Sequence, residues 1–360
     1  MPIGGFPSNI GSPSTTFANT DFGYSRALHL FTLTVVGYLP SSRRGIVAVT
    51  VSKPRQAPLS LRARNLLDNE RFLGALLLAP AILYVLALIG GPFLMAVSLS
   101  LSDAVSGRSA FSFIGLKNFS DVLQSSLFQR SLFNTFVFTL VSQVLVLIVA
   151  NIMALTLVAN FFGKAVIRFL ILLPWAAPIA LSAIGWKWMF DSQYSVVNWL
   201  LRALHIIGPY DFPQWLGEPH LAMSAVIFVH VWRMVPFATI ILLAGMTSLP
   251  QDMLDAAAVD GAGFWQRHFH ILIPLMRPLM SIALLFGIVF TFTDMGVVYV
   301  LTRGGPPVNA THVLSSWAFQ IGIVSQNLGQ GAAISLFLFP VLLIVSTFML
   351  KLARQTDLGV

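Results

Sequence analysis

Arg233 and Asp294 are the residues best placed to do chemistry, because each lies inside a long apolar stretch where a charge is costly. An unpaired charge at membrane depth costs at least about 2.5–3.5 kcal/mol on insertion scales, so each needs a partner or water. Counting about 1.5 Å of rise per residue from the end of each stretch puts the two at similar depths, and they could pair. Two readings stay open for them: a structural ion pair, or a gate or solute contact. Asp294, expected within a helix, shares a face with Gly287 and Thr291 at i, i+4 and i+7. On another stretch Thr135, Thr139, Gln143 and Asn151 recur at multiples of four, with Ser142 beside them. Such a face either bonds to neighbouring helices or forms one wall of a hydrated translocation path.

Other reactive chemistry is sparse. The chain has no cysteine, so it has no thiol nucleophile, disulfide or Cys-based metal centre. His205, His220, His230, His268, His270 and His312 are scattered without convergent partners, and His268 and His270, two apart, do not share a helix face. No metal site, bound cofactor or catalytic residue is expected. No Gly-x-x-x-x-Gly-Lys-Ser/Thr run exists either, since Gly163-Lys164 lacks both the upstream Gly and the following hydroxyl residue. Hydrolysis of ATP by this chain itself is therefore not expected.

The elements that must carry these residues follow from composition. Of 360 residues 56% are hydrophobic and 9% charged, more apolar surface than a soluble domain of this length buries. An all-α integral membrane protein is expected, a six-helix polytopic bundle with spans near 73–101, 131–159, 166–190, 221–248, 276–300 and 330–352. Pro80, Pro92, Pro174, Pro178, Pro236 and Pro340 fall in these spans, as ordinary kinks or as points of bending during alternating access. Residues 1–70 read as a basic, disordered cytoplasmic tail; its apolar run, Leu28 to Leu39, is shorter than the roughly 20 residues that a span requires. Residues 71–354 form the membrane domain. The net charge of +8 points to anionic lipid headgroups and not to nucleic acid, because the basic residues sit beside apolar spans. Lys164, Arg168, Arg267, Arg277, Lys351 and Arg354 mark the cytoplasmic side, which puts both termini there. Trp186, Trp188, Tyr194 and Trp199 then fall near the outer interface.

A polar island, residues 248–278, interrupts the apolar pattern. Ser248-Leu249-Pro250-Gln251 reads as a helix start with Ser248 as N-cap and Gln251 completing a capping box. Asp252 and Asp255 suit the positive end of the helix dipole, and Ala256, Ala257 and Ala258 leave a surface that another backbone can approach closely. Asp260-Gly261 signals a turn before a second helix, Phe264 to Ile271, and Pro274 and Pro278 open the next span.

The order Asp255-Ala256-Ala257, Asp260-Gly261-Ala262, Phe264, Ile271 and Pro274 resembles the EAA loop of binding-protein-dependent ABC importer permeases, the MetI-like transmembrane domain. That loop reads Glu-Ala-Ala, three residues, Gly, nine residues, Ile, one residue, Leu-Pro; here Asp255 stands for Glu and Ile273 for Leu. Trp232-Arg233 with Pro236-Phe237, the run Leu301-Thr302-Arg303-Gly304-Gly305-Pro306, and Phe113 to Phe119 resemble segments of sugar-type permeases. The resemblance covers about residues 70 to 352. It implies a type I importer permease in the bacterial cytoplasmic (inner) membrane, forming half of a path for a carbohydrate. It also implies cytoplasmic ATPase subunits that bind ATP and Mg and grip the island, a second permease that is a paralogue, and an extracytoplasmic solute-binding protein. An importer for glycerol phosphate or a polyamine, and an ion-coupled secondary transporter using Arg233 and Asp294, are the alternatives.

Overall fold

The computed structural model describes residues 70–108, 110–306 and 308–355. The expected N-terminal tail lies outside these residues. The chain divides into two units: the first ends at Leu76 and is described only from Glu70, and the second, from Leu77, holds the helical bundle.

Among the described residues the regular elements are helices, with one isolated antiparallel bridge between Ser102 and Phe113. Helix α1 (Glu70–Val85) passes through a π-turn at Leu86–Gly90 into α2 (Gly91–Ser100). After α3 (Lys117–Gln124) come α4 (Ser126–Val158), α5 (Lys164–Ala176), α6 (Ile179–Met189) and α7 (Val196–Ala203). Helix α8 (Pro219–Ser248) leads into the polar island, α9 (Gln251–Val259) and α10 (Phe264–Leu275), which contains a π-turn at His268–Leu272. The chain ends with α11 (Arg277–Thr293), α12 (Gly296–Thr302), α13 (Leu314–Val324), α14 (Leu328–Leu336) and α15 (Leu338–Gln355).

The six expected spans take the form of four long apolar helices and two bent pairs. Leu73–Ser100, Ser126–Val158, Pro219–Ser248 and Leu328–Ala353 are each long and apolar enough to cross a membrane. The third segment, expected as one helix over 166–190, is instead α5 and α6 set at 94°. Its cause is local: Pro178 forces Ala177 into an extended conformation, ψ 141°, and the helix cannot continue through it. The fifth, expected over 276–300, is α11, which meets α10 of the island at 70° and stops at Thr293 rather than running to residue 300. Pro80, Pro174 and Pro236 lie inside helices and break none of them.

Helices in a bilayer gain little from burying apolar surface against each other, so close packing must hold them together. Small residues do this on α4, where Ala150 and Ala154, one turn apart, are fully buried in a cluster with Met234, Ala238 and Leu242 of α8. Between α4 and α5 the chain reverses at Gly163, φ +80°, and Lys164 and Arg168 donate to the Val158 and Leu157 carbonyls that end α4. The result places the middle of α4, α8 and the end of α11 around one buried polar cluster.

Candidate functional site

Asp294 is the hub of that cluster. It lies at the break between α11 and α12, not within a helix as expected, because the chain turns extended there, ψ 97°. Arg233 Nη2 donates to Asp294 Oδ2 at 2.6 Å, and His230 Nδ1 lies 2.8 Å from the same oxygen. The other carboxylate oxygen accepts the Val297 backbone N–H at 3.2 Å, in the first turn of α12. An ionised carboxylate only accepts, so His230 Nδ1 carries a hydrogen. The opposite nitrogen, Nε2, lies 2.9 Å from Thr291 Oγ1, and the Thr291 hydroxyl donates to the Gly287 carbonyl at 2.7 Å. Gln143 Nε2 completes the chain by donating to Thr291 Oγ1 at 2.8 Å.

Helix packing fixes these partners. His230 and Arg233 are three apart on α8 and face α11, with the Phe138 ring of α4 edge-on to His230 at 4.8 Å. Gly287 leaves room for the Gln143 amide: a Cβ there would collide with Gln143 Oε1. His230 and Thr291 have no exposure, Asp294 is buried, and the Arg233 side chain is 12% exposed, so the guanidinium forms the edge of the cluster. Its Nε is buried without a partner among the described residues. Thr139, on the Gln143 face of α4, also makes no bond there and stands outside the connected chain.

Beside the cluster is a shelf of aromatic rings. Phe237, one turn beyond Arg233, stacks on Trp175 at 5.7 Å and meets Phe290 edge-on at 5.7 Å. Phe290 is one turn before Asp294, and Phe286 joins at 6.1 Å from Phe237. Trp175, Phe286 and Phe290 are exposed.

The second candidate site is the island. Helix α9 begins at Gln251 with Pro250 as its N-cap residue, so the expected Ser248 cap is not made. Ser248 is the last residue of α8, and its hydroxyl donates to the Gly245 carbonyl at 2.9 Å. The cause is Pro250, which holds Leu249 extended, ψ 138°, and so sets the helix start two residues later than the capping pattern suggested. At the other end the Ala262 N–H bonds Ala257 O at 2.9 Å and the Gly261 N–H bonds Ala258 O at 3.1 Å, a Schellman closure around Gly261, φ +82°. Asp255, Ala256 and Asp260 are exposed, while Ala257 is buried and Ala262 half-buried. The second helix runs past the expected Ile271 to Leu275 and carries half-buried Ile271 and Pro274. Phe264, Trp265 and Phe269 lie exposed on it, with Trp265 stacked on Phe269 at 5.7 Å.

Residues 147–357, which include both sites apart from Gln143, Thr139 and Phe138, match the family model for the inner membrane component of binding-protein-dependent transport systems. The chain belongs to this family. The permease is 35% identical over 289 residues to the trehalose/maltose transport system permease protein MalF of Thermococcus litoralis, covering 79% of this chain and 95% of that protein. It is 31% identical over 289 residues to the diacetylchitobiose uptake system permease protein DasB of Streptomyces coelicolor, covering 78% and 87%. Among solved structures, a bacterial ABC transporter involved in the import of the acidic polysaccharide alginate has the same fold. Its chain superposes with a TM-score of 0.68 at 21% identity, over 82% of this permease and 99% of that chain.

The expected pairing of Arg233 with Asp294 is present, and the structure adds Thr291 and Gln143 to it. His230 is the member that sequence reading missed. Sequence reading weighs it only for metal binding and sets it aside, and the signal that could have found it is its i, i+3 spacing to Arg233 on one helix face.

Proposed function

We propose that this permease forms half of the import path for a carbohydrate and takes its energy from a separate ATPase docked on the 248–278 island. The observation that carries the solute class is the polar cluster beside the aromatic shelf. Arg233 and Asp294 cancel each other at 2.6 Å, so the cluster offers no net charge to a glycerol phosphate or a polyamine. Neutral polyhydroxyl solutes suit such a wall, with hydrogen-bonding groups at one side and the C–H faces of sugar rings against Trp175, Phe286 and Phe290. The sugars named for the MalF and DasB relatives support the same class. Thr139, Gln143, Arg233, Thr291 and Asp294 are then path or path-supporting residues.

The coupling reading rests on the exposed Asp255, Ala256, Asp260 and Gly261 and on the Phe264 ring beyond them. Nucleotide-driven closure of the ATPases would move the island as a rigid pair of helices, with ATP and Mg held entirely by those partners. The permease itself is non-catalytic. A second, paralogous permease would cover the apolar face of α1, where Leu77, Ile82, Leu83 and Leu86 are exposed. An extracytoplasmic binding protein would deliver solute to the side opposite the island. The Lys and Arg asymmetry supports a bacterial inner-membrane topology with both termini in the cytoplasm.

The test is reconstitution with a partner ATPase and binding protein from the same genome, measuring which solutes stimulate ATP hydrolysis. Stimulation by a neutral oligosaccharide is expected. Stimulation by glycerol phosphate or a polyamine alone would overturn the solute class, and uptake that survives loss of ATP but collapses with the proton gradient would overturn the ATP-driven reading.

A further inference from the structure

Helix α7 is built inside out. Its residues Val196, Trp199, Leu200 and Ala203, with Leu204 after it, fall within an arc of about 140° and are all exposed. Trp199 is 66% exposed and Leu204 59%. The opposite face carries the polar side chains, turned toward the protein. Asn198 is fully buried; its Nδ2 donates to the Ser192 carbonyl at 3.1 Å, and its Oδ1 accepts from Trp215 Nε1 at 2.6 Å. Arg202 donates to the Asn198 and Pro209 carbonyls and stacks over the Phe212 ring at 4.9 Å. Ser195 caps the helix, accepting the Asn198 N–H at 3.1 Å.

This frame holds the apolar face in one orientation, and water is a poor match for it. A surface helix in water shows the reverse pattern, apolar inward and polar outward. We propose that α7 is an interfacial helix whose Trp199 face lies in the acyl boundary of the bilayer leaflet opposite the island.

Three features favour lipid as the occupant. First, the depth is right: Asn198 accepts from Trp215, four residues before α8 begins at Pro219, and Val197 packs against the cluster that contains Ala225 and Val226, so α7 is tied to the end of the bundle where a membrane-crossing helix starts. Helix α8 crosses once between α7 and the island, which puts the two on opposite sides whatever the orientation of the chain. Second, the face is bordered by exposed Tyr194, which lines one groove with Val196, Trp199 and Ala203 and carries an amphipathic ring of the kind favoured at headgroup level. Third, no charged residue falls within its arc: Arg202, at its edge, keeps its guanidinium on the Pro209 carbonyl and the Phe212 ring, and Asp191 and Asp211, outside the helix, accept backbone N–H groups of Tyr194, Gln193 and Gly208. A soluble protein that docks and leaves uses a surface about as polar as any other, which this face is not.

The experiment uses the complete assembly in nanodiscs of phosphatidylcholine brominated near the glycerol end of the acyl chain. The Trp199 signal is the difference in fluorescence between the native protein and Trp199→Phe. Strong quenching of that difference by the bromolipid, with little by aqueous acrylamide, is the expected result. Quenching by acrylamide alone would mean that the face meets water, and quenching by neither would mean that another subunit covers it; both overturn the proposal. Because the chain lacks cysteine, a nitroxide on Leu200→Cys provides a second reading should Trp199→Phe fail to assemble. There, oxygen collisions should exceed those of a nickel chelate, and the reverse would count against lipid. Neither readout involves transport, so the outcome is independent of solute and coupling.

Discussion

Asp294 accepts from two side chains of α8, Arg233 and His230, and from the backbone of α12, so its loss strands several donors at once. Removing one partner of a buried pair leaves an uncompensated charge, at a cost of about 3–5 kcal/mol. Asp294→Asn and Arg233→Met should each lower the melting temperature of the purified permease and its membrane level. A swap, Arg233→Asp with Asp294→Arg, should recover part of the loss in protein level and in uptake; no recovery over the single variants would refute the pair. Gly287→Ala should cost about 1–3 kcal/mol by driving a Cβ into Gln143, and adding Gln143→Ala should return most of it in a thermal double-mutant cycle. The charge pair was readable in the sequence because depth along each apolar stretch is a matter of counting residues. The notch at Gly287 was not, since the fit of Gln143 depends on the rotation of α4 against α11, and no local pattern encodes it.

At the scale of elements, prolines divide into those that break a helix and those that do not, and the residue before each decides. Ala177 and Leu249 are extended and end their helices, whereas Pro174 and Pro236 ride within α5 and α8. Composition alone located the apolar segments to within several residues, but not which of them bend: Pro174 and Pro178 look alike in composition, and only the conformation of the residue before each separates them. In the island the Asp260-Gly261 turn was legible from its dipeptide, while the Ser248 cap misled because α8 uses that serine for its own last turn. Gly261 has φ +82° with open space at its Cβ position, so a substitution there meets only backbone strain, about 1–2 kcal/mol for a side chain in the left-handed region. Gly261→Asn should therefore be tolerated, and Gly261→Val should lower the number of solutes imported per ATP hydrolysed by the reconstituted importer. Unchanged coupling in Gly261→Val would remove the island from the energy path.

For the whole molecule, the distribution of Lys and Arg makes a topological prediction. Alkaline phosphatase fused after His205 should be active in a bacterial host, and the same enzyme fused at the C-terminus should be inactive. Activity in the opposite pattern would invert the chain and place the island outside, where no ATPase could reach it. The broken third span also bears on how the protein is made. Helices α5 and α6 are about 20 Å and 16 Å long, each short of the roughly 30 Å hydrocarbon layer. Their packing partners are α8 for the first and α12 for the second, both translated later. During synthesis this segment thus leaves the ribosome before anything exists to hold it bent, and its final geometry is set only after residue 302 has emerged. A chain truncated before α8 should leave it unsettled in the membrane and open to quality-control proteases.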